Sequence, residues 1–267
     1  MVLQEIKKEF YNQAGLSEWA QPFVVKVKPN NDTLAILVHG FSSSPYIMHN
    51  LADYLASQGV DVEAVLLAGH GRNFKIFGQA DAQAWHDSVE KVLQENLPHY
   101  KNIYLIGHSL GASVCVSLAA DYPQVKGLIS LGISVYLRGE KWIRFALPFA
   151  KRFKKRYKKS WLTHDEIEQL KKEGRRVYVP VKSVSDLYRM IDTRTKKKAK
   201  LVKTPTLIIH SRKDQVSQPK SSEFLFQQLE LEDKEIYILD KNSHGLLQRT
   251  RNDYVFAKMV DFIKKHN

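Results

Sequence analysis

Runs of apolar residues alternate with segments of helical spacing along most of this chain. Every residue from Leu34 to Val38 is apolar, and similar runs occupy 103–106 and 207–209. Helical spacing follows at 110–120 and 254–264. Strands that are apolar at every position are covered on both faces, and strands that alternate with helices of about ten residues form parallel βαβ units. The sequence therefore predicts an α/β fold with a mostly parallel central sheet and helices on both faces.

Composition is that of a globular protein. The 267 residues are 43% hydrophobic and 26% charged, which is enough to bury a core without disulfides. The single cysteine, Cys115, excludes a disulfide framework and a Cys-rich zinc site. Residues 1–15 carry charges throughout, and no apolar stretch is long enough to span a bilayer. We expect a cytoplasmic protein that needs neither metal nor cofactor.

Positive charge is concentrated in one segment. Residues 138–203 hold 22 Lys and Arg against 7 Asp and Glu, a net +15, whereas the other residues hold 19 against 21. Such an asymmetry indicates a subdomain with its own surface role. The segment also interrupts the alternation of strands and helices. We therefore predict a core of residues 1–136 and 204–267, with a helical insertion at 137–203, called the basic insertion below.

A nucleophile motif stands in the middle of the predicted core. Gly107-His108-Ser109-Leu110-Gly111 fits Gly-x-Ser-x-Gly, follows the strand that ends at Ile106 and opens the helix at 110–120. This strand–turn–helix setting is the one that a nucleophile elbow requires. The helix N-terminus also favours negative charge that develops at the serine. Ser109 is the predicted nucleophile.

A serine hydroxyl needs a base that a third group holds in place, in the chain order serine, acid, histidine. Asp214 and His244 each follow a predicted strand, which places them at the edge where open α/β sheets gather their sites. Asp240 is an alternative acid, although it lies directly at a strand end. Two other histidines near this edge, His70 and His210, are interpreted as structural.

Two backbone N–H groups should hold the oxyanion. One belongs to Leu110, the residue after the predicted nucleophile. The other should come from the loop after an early central strand, which here is His39-Gly40-Phe41. The second candidate donor is therefore the amide of Phe41.

These motifs resemble those of the α/β-hydrolase fold, and within it of the small bacterial carboxylesterases and monoacylglycerol lipases. The resemblance rests on 39–41, on Gly-His-Gly at 69–71, on the elbow, on Asp214 and on Ser-His-Gly at 243–245. It implies a Ser109–Asp214–His244 triad, an oxyanion hole at Phe41 and Leu110, and a small helical cap where the basic insertion lies. The chain departs from the family at Ala112, where a second glycine is common, and in the positive charge of the insertion.

The basic insertion carries an aromatic stripe at helical spacing, interrupted by Pro148, which should end or kink the helix. The stripe consists of Trp142, Phe145, Phe149, Phe153, Tyr157 and Trp161. One interpretation is a cap helix whose aromatic side covers the site, so that Trp142, Phe145 and Phe149 line a substrate pocket. A second is a surface for anionic membranes, because aromatic and basic residues together suit lipid headgroups. Nucleic-acid binding is disfavoured, since no known binding module accompanies the basic residues.

The sequence thus predicts a serine hydrolase that cleaves carboxylic esters through an acyl-enzyme on Ser109. The expected substrates are short or medium acyl esters or lipids of the monoacylglycerol kind. A thioesterase or peptidase with the same triad is an alternative within the enzyme class. The alternative from another class is a non-catalytic membrane or nucleic-acid binder on a hydrolase scaffold, because this fold hosts many functions.

Overall fold

The computed structural model describes residues 3–5, 20–153, 156–159, 167, 177–240, 244–247 and 253–267. The strands are β1 (Leu3–Glu5), β2 (Phe23–Lys26), β3 (Thr33–Val38), β4 (Asp61–Val65), β5 (Asn102–His108), β6 (Gly127–Leu131), β7 (Arg156–Lys158), β8 (Tyr178–Pro180), β9 (Thr206–Ser211) and β10 (Lys234–Leu239). The helices are α1 (His49–Ser57), α2 (Phe74–Gln79), α3 (Ala82–Asn96), α4 (Leu110–Asp121), α5 (Glu140–Phe153), α6 (Val181–Met190), α7 (Lys220–Gln228) and α8 (Asp253–His266). Shorter helical stretches follow α6 at Ile191–Thr195, Lys196–Lys198 and Ala199–Leu201.

Eight strands form the main sheet in the order β1-β2-β4-β3-β5-β6-β9-β10. Every pair from β4 to β10 in this order is parallel, while β2 pairs antiparallel with both β1 and β4. The sheet is therefore mostly parallel, and the α/β-hydrolase architecture predicted from the sequence is confirmed. The carboxyl ends of β3, β5, β6, β9 and β10 meet at one edge, where the loops that carry the predicted site residues begin.

Both faces of this sheet are covered, as the apolar strands predict. Along β3, Leu34, Ile36 and Val38 face a core shared with α3 and α4, and Ala35 and Leu37 face a second core shared with α1 and α8. All five residues are buried. Because successive side chains of a strand point to opposite faces, a strand between two helical layers must be apolar throughout.

The basic insertion contributes α5, β7, β8 and α6, none of which joins the main sheet. β7 and β8 pair antiparallel as a separate two-stranded sheet. α5 continues through Pro148 to Phe153 instead of ending at the proline. The insertion boundaries at 137 and 203 stay a prediction. Within the described ranges, no helix is long and apolar enough to cross a bilayer.

Candidate active site

Ser109 lies in the turn between β5 and α4 with a strained backbone. Its φ of 56° and ψ of −115° are unusual for a residue with a side chain. The flanking glycines make room for this turn: a Cβ on Gly107 would lie 2.4 Å from the Ala112 nitrogen, and one on Gly111 would lie 2.1 Å from the Val38 oxygen. Small residues are therefore required on both sides of the serine, as the elbow motif implies.

The structure brings Ser109, His244 and Asp214 together. The Nε2 atom of His244 lies 3.1 Å from the Oγ of Ser109, and its Nδ1 atom lies 2.6 Å from the Oδ2 of Asp214. The serine is almost fully buried and the aspartate completely so. This is the hydrogen-bonded chain of nucleophile, base and orienting acid that acyl transfer requires.

Asp214 is held in its ionised form. Burial alone raises the pKa of its carboxyl, but the hydrogen bond and charge of His244, the Val216 amide and the charge of His210 outweigh burial and hold the pKa below its usual range. Its Oδ1 accepts hydrogen bonds from the amides of Val216 and Ser217, both at 2.7 Å. The alternative acid, Asp240, is exposed and pairs instead with Arg212 at 2.7 Å.

Two neutral histidines brace the loops that carry the acid and the base. Burial lowers the pKa of His108 to about 3, with the charge of His244 acting in the same direction, and its Nε2–H donates to the His244 carbonyl at 2.8 Å. Burial likewise lowers the pKa of His210, whose Nε2–H donates to the Ser217 carbonyl at 3.1 Å. The structural role expected of His210 agrees with these contacts, whereas no sequence signal selected His108.

The loop after β3, which carries Phe41, approaches the turn that carries Ser109, and both residues line the same cavity. A Cβ on Gly40 would lie 3.1 Å from the Cβ of Ser109, so the two turns are in close approach. His39 fixes this loop, because its Nδ1–H donates to the Gly40 carbonyl and its Nε2 accepts from the Leu67 amide. The amides of Phe41 and Leu110 donate to no other group in the described part of the chain, which leaves both available to an oxyanion.

A cavity of about 280 Å³ opens over Ser109 and His244. Part of its wall comes from the basic insertion, through Ile143, Tyr157 and Leu187. Trp142, Phe145 and Phe149 do not line it. Their side chains are 78%, 71% and 63% exposed, so the prediction that these three aromatics form the pocket is wrong.

The orientation of α5 explains why these three aromatic side chains are exposed. On one face Arg144 donates to both carboxylate oxygens of Asp192, at 2.6 and 3.0 Å, and its guanidinium lies 4.1 Å from the centre of the Tyr188 ring. These contacts, together with Ile143 and Leu147 against the core, turn that face inward. The first four aromatics of the stripe, Trp142, Phe145, Phe149 and Phe153, lie on the opposite face of the helix and point to solvent, whereas Tyr157 lies on β7 and lines the cavity. Trp161 lies outside the described residues.

Ser134 and Arg138 are among the polar residues of the cavity wall that sequence reasoning missed. The Oγ of Ser134, in the loop after β6, lies 2.8 Å from the Oγ of Ser109 and is buried. Arg138 joins the wall from the start of the basic insertion. Neither belongs to a motif, since each reaches the cavity only through the path of its loop.

Among the described residues, one group has the composition of a metal site. Ligand atoms of His86, Asp87 and Glu90 on α3 lie within 4.8 Å of one another. Both carboxylates are already engaged, by Gln83 and Tyr122 respectively. None of the three lines the cavity.

Comparison with known proteins places the chain among hydrolases. The family model described as serine aminopeptidase, S33, matches residues 29–250. A thermostable monoacylglycerol lipase of Bacillus sp. strain H-257 is 25% identical over 92% of this chain and 95% of its own length. A carboxylesterase of Bacillus subtilis strain 168 is 23% identical over 92% of this chain and 96% of its own.

Solved structures share the fold at lower identity. A lipolytic enzyme from a metagenome superposes with a TM-score of 0.82 at 21% identity, covering 94% of this chain and 100% of its own. The monoglyceride lipase of Saccharomyces cerevisiae, solved with a substrate analogue, has a TM-score of 0.77 at 19% identity, covering 96% of this chain and 95% of its own. At these identities the likeness extends to the architecture alone.

Proposed function

The chain belongs to the serine aminopeptidase S33 family and is a serine hydrolase of the esterase and lipase type, and from this premise we propose that it hydrolyses carboxylic esters through an acyl-enzyme on Ser109. The observation that carries the proposal is the hydrogen-bonded chain from Ser109 Oγ through His244 to Asp214. The substrates proposed are short or medium acyl esters and lipids of the monoacylglycerol kind, which suit a cavity whose wall is largely apolar.

We assign each step of the proposed reaction to one of these residues. His244 accepts the proton of Ser109 as its Oγ attacks the ester carbonyl, and Asp214 stabilises the imidazolium that forms. The amides of Phe41 and Leu110 hold the oxyanion. His244 then protonates the leaving alcohol, and the acyl group remains on Ser109. Water, activated by His244, releases the acid and restores the serine.

The experiment that tests this proposal is hydrolysis of p-nitrophenyl esters from acetate to palmitate, with Ser109→Ala beside the wild type. We expect the wild type to hydrolyse these esters with an optimal acyl chain length set by the size of the cavity. The variant should lose nearly all turnover. Turnover that survives in Ser109→Ala would refute the assignment of the nucleophile. Thermal unfolding of both proteins controls for loss of the fold.

Matched thioester and anilide substrates test the alternatives that use the same triad. We expect the oxoester to be hydrolysed with the highest kcat/KM, because two relatives by sequence are named as a monoacylglycerol lipase and a carboxylesterase. A higher kcat/KM on the anilide would identify a peptidase instead, and a higher value on the thioester would identify a thioesterase.

The outer face of α5 supports a second proposal, that the protein binds anionic membranes peripherally. Four aromatic side chains, Trp142, Phe145, Phe149 and Phe153, are more than 60% exposed on α5. Lys141 and Arg152 are exposed at helical spacing beside them. On a membrane, aromatic rings enter the headgroup region and cations attract anionic lipids. Exposing four such rings to water is unfavourable in free energy, and a patch of this kind is typical of an interaction surface.

Vesicle sedimentation with Ser109→Ala protein tests this surface. We expect binding to vesicles of phosphatidylcholine with phosphatidylserine, weaker binding at high salt, and loss of binding when Trp142 and Phe145 are both changed to Ser. Tyr254→Ser is the matched control, because Tyr254 is an exposed aromatic on α8. The proposal would be contradicted if the double variant sedimented with the vesicles as much as the Ser109→Ala protein does. It would also be contradicted if the Ser109→Ala protein bound DNA but not the vesicles.

A further inference from the structure

Arg138 is fixed at the junction of the catalytic loops and the basic insertion. Its amide donates to the Val216 carbonyl at 2.9 Å, and its side-chain Nε donates to the Asp214 carbonyl at 2.7 Å. The adjacent Leu137 pairs with Ser217 in an isolated antiparallel bridge. A guanidinium tied through both its backbone and its Nε loses little further freedom when it binds a ligand.

The terminal nitrogens of this guanidinium are unused. In the described part of the chain, neither Nη1 nor Nη2 of Arg138 has a hydrogen-bond or ion-pair partner. Arg138 is nevertheless part of the wall of the catalytic cavity, together with Ser109 and His244. An arginine held there without a carboxylate partner among the described residues offers two NH2 groups, with four N–H donors, to a ligand that enters the cavity.

The cavity contains no acidic side chain that could neutralise Arg138. Its described lining residues include no Asp or Glu, and Arg138 is the only Lys or Arg among them. The nearby carboxylate, that of Asp214, is buried behind His244 and accepts from Val216 and Ser217. No carboxylate among the described lining residues of the cavity therefore compensates the charge of Arg138, whose side chain is exposed.

The wider distribution of charge acts in the same direction. Residues 138–203 carry a net +15, and this segment supplies part of the cavity wall. Positive potential around a cleft raises the local concentration of anions and speeds their association. A neutral ester gains nothing from this field.

We propose that Arg138 forms an anion subsite, so that the preferred substrates are esters that bear a carboxylate or a phosphate in addition to the bond that is cleaved. This inference rests on the proposed ester hydrolysis and narrows its substrate class. Both anions match the planar fork of a guanidinium. The Arg138 fork holds the anionic group of the substrate, while Ser109 attacks the ester carbonyl.

Matched pairs of esters test the subsite. For an anion on the acyl chain, mono-p-nitrophenyl glutarate is compared with p-nitrophenyl pentanoate, which has the same chain length. For an anion on the alcohol, butyrylglycerol phosphate is compared with butyrylglycerol. The measured quantity is the ratio of kcat/KM for the anionic ester to that for its neutral partner, because a general loss of activity cancels in this ratio.

We expect the wild-type ratio to exceed one for at least one pair and to fall roughly ten-fold or more in Arg138→Gln, the range for a hydrogen bond to a charged group. Arg138→Lys, which keeps the charge and loses the fork, should give an intermediate ratio. Arg212→Gln is the matched control, since Arg212 lies on the same loop as Asp214, outside the cavity, and pairs with Asp240. It should keep the wild-type ratio.

Unchanged ratios in Arg138→Gln for both pairs would overturn the subsite. Calorimetric titration of the same esters into Ser109→Ala separates this outcome from failure of the proposed function. If the wild type hydrolyses none of the esters, the proposed ester hydrolysis is refuted. The subsite is still supported if Ser109→Ala binds the anionic ester of a pair more tightly than the neutral one and if this preference is lost when Arg138 is also changed to Gln. Equal binding of both members would overturn it.

Discussion

The hydroxyl of Ser109 has two hydrogen-bond partners but only one proton. If that proton goes to His244, 3.1 Å away, then the hydroxyl of Ser134, 2.8 Å away, must donate to the same oxygen. Ser134 therefore holds the nucleophile in the rotamer that faces the base, and it stabilises negative charge on Oγ when the acyl group leaves. It is a positioning residue that the motif does not reveal.

Replacing Ser134 by Ala should lower kcat about five-fold with little change in KM, which corresponds to one ordinary hydrogen bond. Reaction with diethyl p-nitrophenyl phosphate, a neutral triester that phosphorylates the serine and releases p-nitrophenol, should slow by a similar factor. Ser134→Thr keeps the hydroxyl and serves as the control. An Ala variant as fast as the wild type in both assays would show that the contact is only structural.

Changing Asp214 to Asn should lower kcat about a thousand-fold or more, because an amide neither stabilises the imidazolium nor keeps the imidazole in the productive tautomer. Asp240→Asn is the comparison, since Asp240 lies on the surface with Arg212, and we expect its kcat within about two-fold of the wild type. Steady-state kinetics on one p-nitrophenyl ester measures both. A large loss in the Asp240 variant instead would reassign the acid.

The placement of Ser109, Asp214 and His244 could be predicted because strand ends and chain order decide it. The contacts of Ser134 and His108 could not, because they depend on how the loops after β6 and β10 fold back on the elbow. The aromatic face of α5 was assigned wrongly for a similar reason. Its apolar stripe predicts a helix, but the pairing of Arg144 with Asp192 and the packing of Ile143 and Leu147 decide which side is inward.

The two faces of α5 should respond differently to substitution. Ile143 lines the cavity, so Ile143→Ala enlarges it, and the preferred acyl chain should lengthen by about one to three carbons. Phe145→Ala, on the exposed face, should leave the preferred length unchanged. The p-nitrophenyl ester series measures both variants. A change in preferred chain length for Phe145→Ala without one for Ile143→Ala would show that the aromatic face of α5, and not the Ile143 face, lines the cavity.

Among larger elements, the central sheet was the easiest to predict, because strands buried on both faces are apolar throughout. The pairing of β7 with β8 was not predicted. Their residues, Arg156–Lys158 and Tyr178–Pro180, form strands too short to show a periodic pattern, and the two strands are not adjacent in the sequence. Long-range pairing of this kind leaves no local signal.

The complete fold should lose stability in mild acid. His39 and His108 are buried and neutral, and burial lowers their pKa values to about 4 and about 3. The unfolded chain protonates both near pH 6.5, whereas the folded protein does so only at the lower values. Their effect on stability is therefore absent above pH 6.5, and stability falls as the pH drops from there toward 3.

The variant His108→Gln tests this account, because an amide can still donate to the His244 carbonyl but does not titrate. Below about pH 6, the free energy of unfolding of the variant should fall less steeply with decreasing pH than that of the wild type. The difference between the two slopes should be about 1.4 kcal/mol per pH unit. Urea unfolding at a series of pH values gives the slopes. Parallel curves for the variant and the wild type would contradict the assignment.

The most direct test of ester hydrolysis by this protein is to observe its covalent intermediate. Wild-type protein mixed with a p-nitrophenyl ester and quenched in acid within milliseconds is analysed by intact and peptide mass spectrometry. We predict one added acyl group, on Ser109 of the peptide that carries the elbow, and none in Ser109→Ala. An acyl group on another residue, or product formation by Ser109→Ala at the wild-type rate, would contradict the mechanism.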